Sequence, residues 1–289
     1  MEEEKVISTQ DSLTPSATVH ELSDSVMTGK AGFSKTKMFT LAIAAGAFIA
    51  FGAQVSLTVM TGDSMMGWGF TKLIGAMTFA TGLMIVALTG AELFTGNVMM
   101  TFAVLEKKVS LLKLLRSWTI VYIANFLGSI LVAGLIFGAG MGHNGGDAVG
   151  VTAMQTAFSK INLTFGEAFF RGILCNWLVC LAIFMASTSK RVIGKIFAIF
   201  FPIMTFVASG YEHSVANMFF IPNGLLMKHF PSIVAASGMT PDQLATMTWK
   251  GFFLHNLLPV TCGNIGGAFV FVVLLFWTAY LREEHRHQH

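Results

Sequence analysis

The chain has 289 residues, of which 54% are hydrophobic and only 11% charged, with a formal net charge of +3. Soluble domains carry about 25% charged residues, so this composition, with a mean hydropathy of +0.68, belongs to a polytopic membrane protein. The small positive balance, with no basic patch interleaved with aromatics, argues against a nucleic-acid partner.

Residues 1–37 form a polar leader. Its start, MEEEKVISTQ, is acidic and is no signal peptide. Its middle, ATVHELSDSVMTGKAG, can form an amphipathic helix on the membrane surface. The membrane domain is expected over 38–281, in six apolar segments near 38–60, 70–105, 112–140, 164–187, 193–222 and 251–281. A span needs about 20 apolar residues. The second and fifth segments are each interrupted by a polar, glycine-containing stretch. Residues 282–289 read as a solvated tail rather than a metal site, despite their histidines.

Positive charge sets the orientation. Lys30, Lys35 and Lys37 precede the first span, and Lys107, Lys108, Lys113 and Arg116 separate the second from the third. Lys190, Arg191 and Lys195 separate the fourth from the fifth, and Arg282 and Arg286 follow the sixth. The opposite side carries only Lys72, Lys160, Arg171, Lys228 and Lys250, scattered over its loops and their flanks. Both termini are therefore expected in the cytoplasm. Cys175, Cys180 and Cys262 lie in apolar segments and read as reduced, buried small hydrophobes. The chain has no nucleotide-binding loop, no HExxH and no cluster of metal ligands, so neither an enzyme nor a cofactor or metal is expected.

The two interrupted spans repeat one another. GAELFTGNVM at 90–99 and GYEHSVANMF at 210–219 both read G-x-E-x-x-x-x-N. Gly90, Glu92 and Asn97 thus correspond to Gly210, Glu212 and Asn217. More weakly, Asn125 and Gly128 in NFLG echo Asn264 and Gly267 in NIGG. Three spans followed by three of opposite orientation make an inverted repeat, in which paired interrupted helices point to a transport pathway. A break frees backbone N–H and C=O groups, which survive in a membrane only when buried in protein or lining a wet cavity. Glu92 and Glu212 can accept bonds from the freed N–H groups, so both read as scaffold. His213 stands apart, because its counterpart is Leu93. It is either a satisfied buried histidine or a donor of a hydrogen bond or proton in the pathway.

GAELFTGN (90–97), CNWLVCLA (175–182), ASGYEHSVANM (208–218) and HNLLPVTCGN (255–264) resemble the formate/nitrite transporter family, over about 38–281. The resemblance implies an all-α, aquaporin-like six-helix membrane bundle in a prokaryotic inner membrane, with an inverted 3+3 repeat and broken second and fifth helices. It implies a homopentamer with one pore per protomer. Expected partners are protons, the lipid bilayer and a small monovalent weak-acid anion: formate first, with nitrite or hydrosulfide as alternatives. It places Thr95 on the loop facing the pore histidine, here His213, and Asn176 and Asn217 at polar pore positions. Leu83, Leu93 and Phe94 match the cytoplasmic constriction, and Phe79, Val179 and Phe206 the periplasmic one. Lys160 matches a basic residue of the outer vestibule. Apolar rings exclude hydrated ions by dewetting, while Lys160 would draw an anion inward. A neutral-solute channel for ammonium or water is the rival reading, and it has no use for that lysine.

Overall fold

The computed structural model describes residues 12–62 and 67–282. The acidic first residues and the histidine-rich tail lie outside the described residues. The described chain is helical, apart from one isolated bridge between Ser12 and Ser189. Helix α1 covers residues 15–31, α2 Lys35–Val59, α3 Trp68–Thr89 and α4 Phe94–Leu105. Helix α5 covers Leu111–Gly138, α6 Ala148–Ile161, α7 Phe165–Thr188 and α8 Val192–Ala208. Helix α9 covers Ser214–Met227, α10 Pro231–Ser237, α11 Pro241–Thr246 and α12 Gly251–Arg282. Among the described residues, five helices (α2, α3, α5, α7 and α12) are long and apolar enough to cross a membrane, and α4, α8 and α9 are shorter apolar helices.

Local chemistry sets where these helices begin. Ser34, Ser110 and Thr164 each sit one residue before a long helix, and each accepts a backbone N–H three residues on. Such caps contribute about 1 kcal/mol apiece. Thr164 and Glu167 complete a reciprocal capping box.

Small residues set how closely the helices approach. A Cβ at Gly128 of α5 would collide with the carbonyl oxygen of Ile43 on α2, and one at Gly267 of α12 with that of Ile173 on α7. In lipid, where burying apolar surface between helices gains little, this close van der Waals contact holds helices together.

Helix α1 is covered by the protein itself. Val19, Leu22, Met27 and Ala31 are buried with Phe102 of α4 and Val272 of α12 in one apolar cluster. The Arg116 guanidinium donates to the carbonyl of Ala31 (2.8 Å), satisfying the end of α1. The apolar face expected to meet a membrane surface is thus spent on the chain's own helices. Cys175 and Cys180 are buried as expected. Cys262 is not: it lies on an exposed face of α12, which hydropathy along one helix cannot distinguish from the buried face.

Candidate functional site

The two G-x-E-x-x-x-x-N stretches fold alike. Helix α3 ends at Gly90 and α8 just before Gly210, and both glycines adopt a left-handed φ (70° and 73°) that a side chain would strain. The chain then runs extended, to φ −106° at Leu93 and −109° at His213, before α4 and α9 begin. The freed backbone groups find matching partners. Glu92 N–H donates to Leu41 O and Glu212 N–H to Arg171 O, both at 3.2 Å. Asn125 Nδ2 donates to Ala42 O and Glu92 O, and its Oδ1 accepts Phe94 N–H. Asn264 Nδ2 donates to Gly172 O and Glu212 O, and its Oδ1 accepts Ser214 N–H. Each asparagine satisfies two backbone groups that its break would otherwise leave bare and ties them to a carbonyl inside a neighbouring helix.

Both glutamates are buried and both are paired. Glu92 meets Lys30 Nζ at 2.9 Å and accepts Asn97 Nδ2 at 2.7 Å. Glu212 meets Lys160 Nζ at 2.7 Å and accepts Asn217 Nδ2 at 2.6 Å and Asn256 Nδ2 at 3.2 Å. Lys30 comes from α1 and Lys160 from α6, so α1 delivers to the first break what α6 delivers to the second. One difference stands out. Lys30 Nζ also donates to Asn97 Oδ1 (3.0 Å), whereas Asn217 Oδ1 is buried without a hydrogen-bond partner.

His213 joins the breaks. Its Nδ1 takes the N–H of Ala216 at 3.0 Å, capping α9. Because that amide can only donate, Nδ1 is the accepting nitrogen and the proton of the neutral ring sits on Nε2. Nε2 therefore donates to Thr95 Oγ1 at 2.9 Å, which leaves the Thr95 hydroxyl hydrogen free to donate onward. Asn176 Nδ2 fixes the Thr95 carbonyl (3.1 Å) and also bonds Asn264 O (2.8 Å).

A cavity of about 880 Å³ opens onto His213. Lys160, Glu212, Asn217, Phe79 and Phe206 also line it, as do Lys72 and Arg171. The Phe206 ring lies 5.7 Å from that of Phe79 and 6.0 Å from the His213 imidazole. Thr95, Asn176, Val179, Leu83, Leu93 and Phe94 do not line the cavity. They are buried, with Phe94 edge-on to Trp118 and Tyr122 at 5.9 and 4.8 Å. Lys160 does reach the cavity, but its charge is already met by Glu212.

Sequence reasoning missed Lys30, Asn256, Phe220, Lys72 and Arg171. Phe220 stacks on Phe79 at 6.2 Å and lies 5.3 Å beneath the Lys160 ammonium. Lys30 carried a readable signal: KAGFS at 30–34 and KINLT at 160–164 both place a lysine four residues before the cap of a long helix.

The family model described as formate/nitrite transporter matches residues 17–278. The chain belongs to that family. It is 39% identical over 264 residues to a probable formate transporter of Methanothermobacter thermautotrophicus, covering 86% of this chain and 90% of the relative. It is 38% identical over 253 residues to the formate channel FocA of Escherichia coli (strain K12), covering 87% and 89%. Among solved structures, a pentameric formate channel with formate bound superposes with a TM-score of 0.78 at 37% identity, covering 86% of this chain and 98% of that one. An ion channel of the same family superposes at 0.77 with 29% identity, covering 91% and 98%. The family is one of multi-pass membrane channels and transporters, not enzymes.

Proposed function

We propose that this protein is a membrane channel for small monovalent anions of weak acids, with formate its main substrate. The observation that carries the reading is the hydrogen bond from His213 Nε2 to Thr95 Oγ1, at the point where a cavity lined by Lys160, Glu212 and Asn217 gives way to buried apolar side chains. A bare anion pays heavily to enter such a passage, and the corresponding neutral acid far less. Thr95, oriented by His213, donates to the oxygen that carries the charge. Asn217 Oδ1, left without a partner, accepts the hydroxyl of the protonated form. His213 acts as a neutral hydrogen-bond donor, because a proton on Nδ1 would displace the capping amide of Ala216. The proton that neutralises the anion then exchanges with water in the cavity.

The same reading orders the rest of the chain. Residues 38–281 are the channel domain: six aquaporin-like spans in an inverted repeat, the second made of α3 with α4 and the fifth of α8 with α9. Residues 1–37 are a cytoplasmic leader docked through α1, and residues 282–289 a cytoplasmic tail. Phe79, Val179 and Phe206 form the outer constriction, and Leu83, Leu93 and Phe94 the inner one. The protomers assemble as a homopentamer in the inner membrane of a prokaryote. Support for the assembly and substrate comes from the pentameric, formate-bound relative.

The test is a flux panel in proteoliposomes across pH, with formate, nitrite, hydrosulfide, acetate and ammonium. Formate should lead and ammonium should be inert. His213→Asn keeps a side chain able to cap α9 but not the same reach to Thr95, and should lower formate flux at every pH. Flux unchanged from wild type would sink the role given to His213. A lead for nitrite or hydrosulfide would move the protein to another substrate of its family.

A further inference from the structure

The cavity above His213 carries more positive charge than its buried ion pair uses. Lys160 is committed to Glu212, and both carboxylate oxygens of Glu212 are occupied by Lys160, Asn217 and Asn256. Lys160 is therefore poorly placed to hold an incoming anion. Two other cations line the same cavity: Lys72, in the second turn of α3, and Arg171, in the second turn of α7. Both are half-buried, and neither side chain has a hydrogen bond or ion pair among the described residues. The nearest acid to Arg171 along α7 is Glu167, one turn earlier; its Oε2 is bonded to Thr164, and it does not line the cavity. Glu212 is the single carboxylate among the described lining residues. Thr156, Ser159, Ser209 and Tyr211 also line the cavity.

Resting on the anion-channel reading above, we propose that Lys72 and Arg171 are the anion-capture pair of this vestibule. They set how readily a small monovalent anion enters, not how fast it crosses the apolar passage. Charges of one sign in a low-dielectric cleft focus the field and raise association rates by about 10–10³. Because neither side chain is engaged in a hydrogen bond or ion pair among the described residues, the effect belongs to these two residues and not to the more deeply seated lysine. Once the anion has reached Thr95 and His213, the pair is behind it. Its loss should therefore act on half-saturation and spare the maximal rate.

The experiment is formate flux into proteoliposomes with the wild type, K72Q, R171Q, K72Q/R171Q and the charge-preserving K72R/R171K. At about 10 mM ionic strength, where the screening length is about 30 Å, the double glutamine variant should raise half-saturating formate about tenfold. The maximal rate should stay within about twofold. At about 1 M salt, where screening falls to about 3 Å, the difference should vanish. The variant K72R/R171K should behave as wild type. Half-saturation unchanged in K72Q/R171Q would overturn the assignment. So would a shift of equal size at both salt concentrations, or a loss confined to the maximal rate, since each marks packing rather than charge. A wild type that carries another anion of the panel instead of formate fails the substrate reading alone, and the pair is then judged on that anion. A wild type that carries none fails both.

Discussion

The two interrupted stretches are built from the same parts and do different things. At 90–97 and at 210–217, a left-handed glycine ends one helix, a glutamate is held by a lysine, and an asparagine opens the next helix. Asn125 and Asn264 close each break with the same three bonds. Beyond the shared glycine, glutamate and asparagine the residues differ, and two contrasts stand out. The first stretch has Leu93 where the second has His213, and Lys30 fills the amide oxygen of Asn97 that is left open on Asn217. The shared parts are thus the cost of interrupting a helix in lipid, and the unshared atoms are those that can meet a solute. Similarity inside the chain marks scaffold, and departure from it marks function.

The largest expected effect tests the scaffold. Each glutamate is buried against its lysine, and removing one partner of such a pair costs about 3–5 kcal/mol, because the other charge is left stranded. Glu92→Ala and Glu212→Ala should both fall in that range and within about 1 kcal/mol of each other. Denaturation of the detergent-solubilised protein measures this. If one substitution is severe and the other mild, the two breaks do not share a brace.

A step smaller is the glycine contact. Gly128→Ala and Gly267→Ala each push a methyl into a carbonyl of the facing helix, and overpacking of this kind costs about 1–3 kcal/mol. Both should lower thermal stability, while Gly134→Ala, whose Cβ would meet nothing within 4 Å, should not. A harmless Gly267→Ala would mean that the α7–α12 pair is not closely packed.

Smaller still for the fold, but decisive for transport, is His213→Leu, which gives the second stretch the residue of the first. Losing the Nδ1 cap on α9 should cost only about 1 kcal/mol. Formate flux should fall to background, because Thr95 loses the donor that orients it. A His213→Leu protein that still carries formate at the wild-type rate would reduce the difference between the two stretches to packing.

The sequence shows unequal amounts of this. The spans are legible because twenty apolar residues in a row have few other uses, and the breaks because glycine and glutamate recur at one spacing. Fold and family follow from these. The glutamates' partners were half-hidden. Lys160 was visible as a basic residue, but its bond to Glu212 spans 52 positions. Lys30 sits in a leader whose polarity reads as solvated. Asn125 and Asn264 appeared as an echo, yet no local pattern says that an asparagine on one helix will close a break in another. Lys72 and Arg171 counted only toward orientation, because a charge near a span end looks alike whether it faces a headgroup or a vestibule.

Helices α1 and α6, which deliver the two lysines, are anchored differently. Helix α6 is fastened at its start by Asp147, whose carboxylate bonds His143 Nδ1 at 2.6 Å and also Ser232 of α10. The hydrogen bond to His143, more than any other contact, holds the Asp147 carboxyl below its ordinary range. A depressed carboxylate contributes stability that is complete above its unfolded pKa, near 4, and is lost as pH falls through the folded value. Acid should therefore loosen the start of α6. Asp147→Asn removes the charge while tolerating the left-handed φ of 72° at this position. The variant should be slightly less stable than wild type at neutral pH, and the gap should close as pH drops below about 4. Paired melting curves from pH 7 downward measure it. Hydrogen exchange should show the acid-induced opening at residues 148–152 of α6 and not at the start of α1. A stability gap that stays constant across the titration would place the contribution of Asp147 in its backbone conformation rather than in its charge.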